Sequence, residues 1–368
     1  MKPFLPDIPV VYFHSVGNKN KLWTKSFLTS TAENTENFFR YISRKYTSLT
    51  LKEYYNLRIR KSSGIRNPIV LTFDDGYLDN WLFAFPLLKK YSLKATIFIS
   101  PEFVDKRNIV RSDISEPGFL SWDEMKMMEA SGLVDIQSHT LTHTKYFISD
   151  TITGFHHPGN DILYPAGNLF PETKPYYIND PGFENLLPYG YPLFEEASAV
   201  TARRVVIGQN FINEVLALFR TYDFRKYNFK DAFIRIKPLY DKYKSAGQII
   251  TASEGEEEYQ MRIKLEIQGS KTIIEKELAK KVEFLCWPHG DNNSFLHNKA
   301  LEAGYLMTTI GNYVMHDNEK SSRIPERLGI DYSSPGRRAK ARFKIRAFSG
   351  SFPYRESVIL ARNIKGTT

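Results

Sequence analysis

Short apolar runs rich in β-branched residues alternate along this chain with stretches whose apolar positions recur every three or four residues. Residues 9–14 (PVVYFH) predict a strand, and 69–73 (IVLTF) form an unbroken apolar run of the kind a strand buried on both faces carries. Residues 79–91 predict a helix bent at Pro86, and 95–100 (ATIFIS) the next strand. Ser121-Trp-Asp-Glu124 has the form of a capping box, Gly132 stands where that helix should stop, and 134–138 read as a strand beyond it. The alternation resumes late. Residues 270–281 predict a helix with Ile273, Ile274 and Leu278 on one face, 282–287 a strand, 298–303 a helix closed by Gly304, and 305–309 a strand. Repeated strand–helix pairs imply parallel strands with right-handed crossovers, hence an α/β fold built as a doubly wound sheet or a barrel.

Between the two alternating parts the pattern changes. From about 151 to 269 the chain is first dense in proline, glycine and tyrosine, then shows helical spacing such as Ile212, Val215, Leu216 and Phe219. The expected organisation is a first barrel part over 1–150, a partly helical insertion or cap over 151–269, a second barrel part over 270–335 and a basic segment over 336–368. Pro165-Ala-Gly167-Asn168 and Tyr189-Gly-Tyr191-Pro192-Leu-Phe194-Glu195 are candidates for lining a sugar site, or equally for ordering the cap.

Composition narrows the class. Over 368 residues, 42% hydrophobic and 25% charged side chains describe a folded protein rather than a disordered or fibrous one. The lone cysteine, Cys286, excludes an internal disulfide, so a metal site must draw mainly on histidine and carboxylate. The net charge of +9 is concentrated at Arg337-Arg338-Ala-Lys340-Ala-Arg342-Phe-Lys344-Ile-Arg346, which either meets an anionic partner or is an ordinary solvated surface. No nucleic-acid motif accompanies it, and none is expected to bind. No run approaches the ~20 apolar residues of a membrane span. The first nine residues lack the pattern of a secretory signal, so the expectation is a cytoplasmic protein.

Four segments end predicted strands and carry reactive side chains. Thr72-Phe73-Asp74-Asp75-Gly76 presents two adjacent carboxylates that leave an extended backbone in different directions and can take different tasks; alone, it is also an ordinary turn. Ser138-His139-Thr-Leu-Thr-His143 carries two imidazoles four positions apart, which converge if the segment is helical or tightly turned. Joined to Asp75 they make a His-His-carboxylate set that leaves a coordination position open. Cys286-Trp287-Pro288-His289-Gly290 is a stiff turn able to aim a backbone N–H at a developing oxyanion. His14 closes the first strand, as a reactive group or a satisfied core histidine.

The ordered set TFDDG, SHTLTH and WPHG resembles the polysaccharide deacetylases, the NodB-homology group called carbohydrate esterase family four. The resemblance covers about 9–145 and 270–330 and implies an irregular (β/α) barrel of about seven strands with a large insertion. It implies removal of N-acetyl groups from an amino-sugar glycan, or from a lipid- or nucleotide-linked precursor. It further implies Asp74 as catalytic base and Asp75, His139 and His143 as ligands of a divalent cation, with zinc the first choice. The opening YFHSV is similar to the circularly permuted poly-N-acetylglucosamine deacetylase branch, which puts the general acid on His14 rather than on His316-Asp317. Trp287, Pro288 and His289 take the substrate and oxyanion side. The family's arginine beside the base is missing from the third motif, which leaves the partner of Asp74 open, with Arg327 one late candidate. A silent glycan-binding barrel and another metal-dependent barrel amidohydrolase are the alternatives.

Overall fold

The computed structural model describes residues 8–17, 28–60, 64–113, 118–158, 168–169, 174, 187–314 and 316–357. The described residues form two compact units, one of those up to Leu141 and from Ile267 onward, the other of those within Thr142–Glu266.

The first unit is built on a parallel sheet of nine strands among the described residues. Its order runs Arg323–Ile324, Met307–Thr309, Phe284–Leu285, Val134–Ser138, Ala95–Ile99, Pro68–Phe73, Val10–Phe13, Leu328–Gly329, with Thr47–Leu49 also paired to Pro68–Phe73. The sheet curls into the irregular α/β barrel expected from the strand–helix alternation. Its two edges, Arg323–Ile324 and Leu328–Gly329, are separated in the chain by only Pro325, Glu326 and Arg327, so this short span lies at the seam. Val10, Leu49, Val70, Phe98, Phe284, Cys286, Met307 and Ile324 pack together as one buried cluster.

Several elements differ locally from their sequence patterns. The predicted helix over 79–91 is a π-turn, Asn80–Ala84, running into the α-helix Phe85–Tyr91. Pro86 lies directly behind the π-turn, whose Phe85 N–H bonds the Asn80 carbonyl, so the wider π spacing falls where proline interrupts the helical ladder. The strand expected over 282–287 is reduced to Phe284–Leu285, because the Trp287 N–H bonds the Thr309 hydroxyl (3.1 Å) instead of a ladder carbonyl. The helix Ser294–Glu302 starts four residues before the apolar spacing shows it, capped by the Asn293 side chain. The capping box of Trp122–Ala130 is formed as expected, Ser121 and Glu124 satisfying each other's backbone N–H groups.

The second unit has its own core. Lys145–Phe155 pairs antiparallel with Pro192–Ser198, and Val205–Ile207 with Ile250–Ser253. The helices Gln209–Leu218 and Phe229–Ser245 bury Phe211, Val215 and Ile236 with Phe155 and Phe194 of the strand pair. Lys145–Phe155 is therefore part of this unit, and the boundary stands at 141/142 rather than at 150, since the proline- and glycine-rich composition begins only inside that strand. Phe194, a candidate for lining a sugar site, is 1% exposed in this core and unavailable to a sugar; Tyr189 is exposed. Pro165 to Gly167 lie outside the described residues.

Candidate active site

Parallel register brings the chemistry to one end of the barrel. Phe13 is the register partner of Phe73, and Ser138 of both Ile99 and Leu285. The ladder continues one step beyond each strand: Asp74 N donates to Phe13 O (2.9 Å), His139 N to Ile99 O (2.8 Å) and Cys286 N to Ser138 O (2.9 Å). His14, Asp74, His139 and Cys286 are thereby fixed at the carboxyl ends of adjacent strands, where barrels of this class gather reactive groups.

The two carboxylates diverge because the backbone turns between them. Asp75 has φ 72°, and Gly76 follows at φ 71° with a Cβ position only 2.6 Å from Ile99 Cγ2, so only glycine fits there. Asp75, Thr140, His143 and His289 are four of the seven non-glycine residues with positive φ among the described residues. Such conformations persist where surrounding contacts over-determine them, and their gathering here marks a built site.

Asp74 is buried and held by Arg327, whose Nη1 and Nη2 donate to Oδ1 and Oδ2 at 2.7 Å each. Arg327 Nη1 also reaches Thr72 Oγ1 (3.2 Å) and Nη2 the Cys286 sulfur (3.1 Å), while the guanidinium lies 5.1 Å from the Tyr12 ring centroid. Burial pushes the Asp74 carboxyl up, but the charge and hydrogen bonds of Arg327, helped by His139 and His14, more than offset it and hold it below its usual value. His14 Nε2 stands 3.9 Å from Asp74 Oδ2, too far for a direct hydrogen bond and close enough to share a small substrate group.

Asp75, His139 and His143, all buried, offer ligand atoms that lie within 4.8 Å of one another. His139 Nε2 is 3.3 Å from Asp75 Oδ1, and His139 Nδ1 faces the Cys286 carbonyl at 2.8 Å. With the proton assigned to Nδ1, that hydrogen bond fixes the ring and leaves the Nε2 lone pair for a cation, the usual arrangement behind a ligating histidine. The backbone supports it: Ser100 Oγ donates to His139 O (2.8 Å) and Thr140 N to Ser138 Oγ (3.3 Å). His143 is placed by the same tight loop, left-handed at Thr140 and His143 (φ 63° and 49°) and not helical. This donor set fits a divalent transition metal, with room for a further ligand. A second set, Asp74, His139 and Cys286, is as compact. Arg327 already occupies both oxygens of Asp74 and puts a positive charge beside any cation there, so the first set is the better holder.

Trp287 and Pro288 are buried and His289 is exposed. The turn Pro288–Gly290 is clamped from behind, Asn312 N donating to Gly290 O (2.9 Å) and Asn312 Nδ2 to His289 O (3.2 Å). Gly311 packs so closely that a Cβ would stand 2.2 Å from Gly290 O. The indole Nε1 of Trp287 is buried without a hydrogen-bond partner. His316 is exposed in the turn before Asp317–Glu319, its N–H donating to Glu319 Oε2 (3.1 Å).

Sequence reasoning missed two supports. Cys286 serves both halves of the site, its carbonyl on His139 and its sulfur on Arg327. Asn80 Nδ2 donates to His14 O (2.8 Å) and to Asp79 Oδ1 (3.0 Å), while Ser15 Oγ donates to Asp79 Oδ2, so the π-turn holds the segment that carries His14. The polar pair that follows TFDDGYL was the only available signal.

Residues 61–157 match the family model described as polysaccharide deacetylase. Over that stretch the chain is similar to the polysaccharide deacetylases. YxkH of Bacillus subtilis (strain 168), named for the same family, is 32% identical over 139 residues, 37% of this chain and 43% of the relative, so the match spans less than half of that protein. Among solved structures, a de-N-acetylase from Aggregatibacter actinomycetemcomitans superposes with a TM-score of 0.54 at 20% identity, over 89% of this chain and 96% of that one. The BpsB deacetylase domain from Bordetella bronchiseptica gives 0.50 at 16% identity, over 89% and 98%. At these identities the two structures speak to the fold of the deacetylase barrel.

Proposed function

We propose that this protein hydrolyses the N-acetyl group of an amino-sugar glycan or of a lipid- or nucleotide-linked sugar precursor, using a divalent cation held by Asp75, His139 and His143. The observation that carries this reading is the placement of a charged, arginine-gripped carboxylate, Asp74, one residue from a compact His-His-Asp donor set. Lewis acidity is what a cation, zinc by the donor chemistry, supplies when bound there: a polarised amide carbonyl and more acidic water. Asp74 stays ionised through Arg327 and accepts the proton of the water that attacks the acetamide carbon. His14, across from Asp74, gives a proton to the sugar nitrogen as the C–N bond breaks, leaving acetate and a free amine. Proton transfer of this kind is worth ~10²–10⁴-fold in rate. The turn Trp287–Gly290 supplies a stiff wall on which an oxyanion-directed N–H can be fixed, a contribution of about 3 kcal/mol where it is made.

The test is acetate release from N-acetylglucosamine oligomers by the full chain, with and without chelator, beside Asp74→Asn. The variant should keep its bound metal and lose turnover. Wild-type acetate release by Asp74→Asn would overturn the assignment.

A further inference from the structure

The strongest charge feature outside the site is the helix Pro335–Phe348, which carries Arg337, Arg338, Lys340, Arg342, Lys344 and Arg346 and no acidic residue. Surface helices normally interleave signs to gain from pairs three or four apart. Here the basic positions fall on two flanks, 337/340/344 and 338/342/346, either side of the buried Ala341 and Ile345. Arg337 pairs with Asp331. The second flank is held by aromatic rings, which order a cation without neutralising it. The Arg338 guanidinium lies 5.6 Å from the Tyr332 ring, Arg342 4.6 Å from Tyr41 and Arg346 5.1 Å from Tyr354, and Arg342 Nε donates to Tyr332 OH (2.8 Å). Lys340 and Lys344 are exposed.

Directly after this helix stands Phe352, 80% exposed and the most exposed of the large apolar side chains described. It is held there. Ser351 N donates to Arg346 O (3.0 Å), Arg346 Nη1 to Tyr354 OH (2.6 Å), and Tyr354 packs edge-on against Phe343 with ring centroids 5.4 Å apart. A soluble polyanion would answer the charge and leave Phe352 in water. A bilayer whose headgroups are anionic answers both, since basic side chains gain from the surface potential and an aromatic ring gains at the headgroup boundary.

We propose that the face formed by Pro335–Phe348 and Phe352 docks the protein on an anionic lipid surface. The docking is reversible and electrostatic, with one aromatic side chain entering the interface, and it needs no membrane-spanning helix. It shares no residue with the Asp74 site, and so holds or fails independently of the hydrolytic reading.

Co-sedimentation of the full chain with sucrose-loaded vesicles tests it, comparing pure phosphatidylcholine with vesicles containing about a third phosphatidylglycerol. Binding is expected on the anionic vesicles and absent on the neutral ones, with steep weakening as salt rises. Each neutralised lysine should cost roughly fivefold in affinity, so Lys340→Gln/Lys344→Gln loses about 25-fold. Phe352→Ser should weaken vesicle binding without changing its salt dependence, and thermal melts confirm that each variant is folded. Equal binding to both vesicle types, or indifference to the lysine pair, would overturn the proposal. So would soluble polyphosphate binding as tightly as the anionic vesicles and equally well to Phe352→Ser.

Discussion

Arg327 grips both carboxylate oxygens of Asp74 at 2.7 Å, across 253 residues of sequence. The fork matches the carboxylate plane, which a single ammonium cannot do. Arg327→Ala should therefore lower kcat/KM by about 10²-fold, with Arg327→Lys recovering part of it. The sign of the pH effect follows from the opposing causes. Arg327 lowers the Asp74 pKa and burial raises it, so removing the arginine leaves burial in command and moves the acidic limb of the rate profile to higher pH. A kcat/KM–pH profile checks this, and an unmoved acidic limb would separate the limb from Asp74.

The donor set should be separable from the base. Asp75→Ala, His139→Ala and His143→Ala are each expected to lose stoichiometric metal in elemental analysis of the purified protein, while Asp74→Asn keeps it. Cation affinity should also weaken on acidification. Burial disfavours a charged His139, but its contacts with Cys286, Asp75 and Asp74 outweigh that and raise its pKa well above the ordinary histidine value, so protons compete for the ring. Titrating metal binding at several pH values measures the competition.

The clamp on His14 can be loosened without touching the reacting groups. Asn80→Ala removes the donor to the His14 carbonyl. Turnover should fall by about tenfold, consistent with a small misplacement of a positioned group, at unchanged metal content. Asn80→Asp cannot donate and should not rescue it. Steady-state kinetics beside metal analysis distinguishes this from a general loss of structure.

Asp79 should make folding stability depend on pH. Burial pushes its carboxyl up to about 7, against hydrogen bonds from Ser15, the Val16 backbone and Asn80. The folded state therefore holds the proton more tightly than the unfolded chain, whose aspartates titrate near 3.9. Its stabilising contribution is complete below that value and disappears as pH rises through about 7. Urea melts between pH 5 and pH 8 should show wild type losing stability over this range, while Asp79→Asn loses this component.

Much of the barrel was legible because its strands are short apolar runs ending in polar or glycine punctuation, as at Ile69–Gly76 and Val134–His139. The chemistry was legible where neighbours in sequence are neighbours in space: Asp74 beside Asp75, His139 four residues before His143. What no local pattern carries is a side chain's long-range partner. Arg327 could be picked out as an arginine ahead of a strand, but its grip on Asp74 depends on two barrel edges meeting. The links of Cys286 to His139 and Arg327 likewise depend on register, since a cysteine in an apolar run looks like ordinary core. Phe194 misled for the converse reason, because an aromatic among turn formers reads as a surface residue until its hydrophobic partners in the second unit are known.

The seam at Pro325–Arg327 bears on how such a protein is made. Donors for a cation leave the ribosome early, with Asp75, His139 and His143, whereas the guanidinium that steadies Asp74 follows its carboxylate by 253 positions. A nascent chain halted between the two would hold the ligand residues but no partner for its buried carboxylate. The pairing of Asp74 therefore waits for the last edge of the sheet to be made.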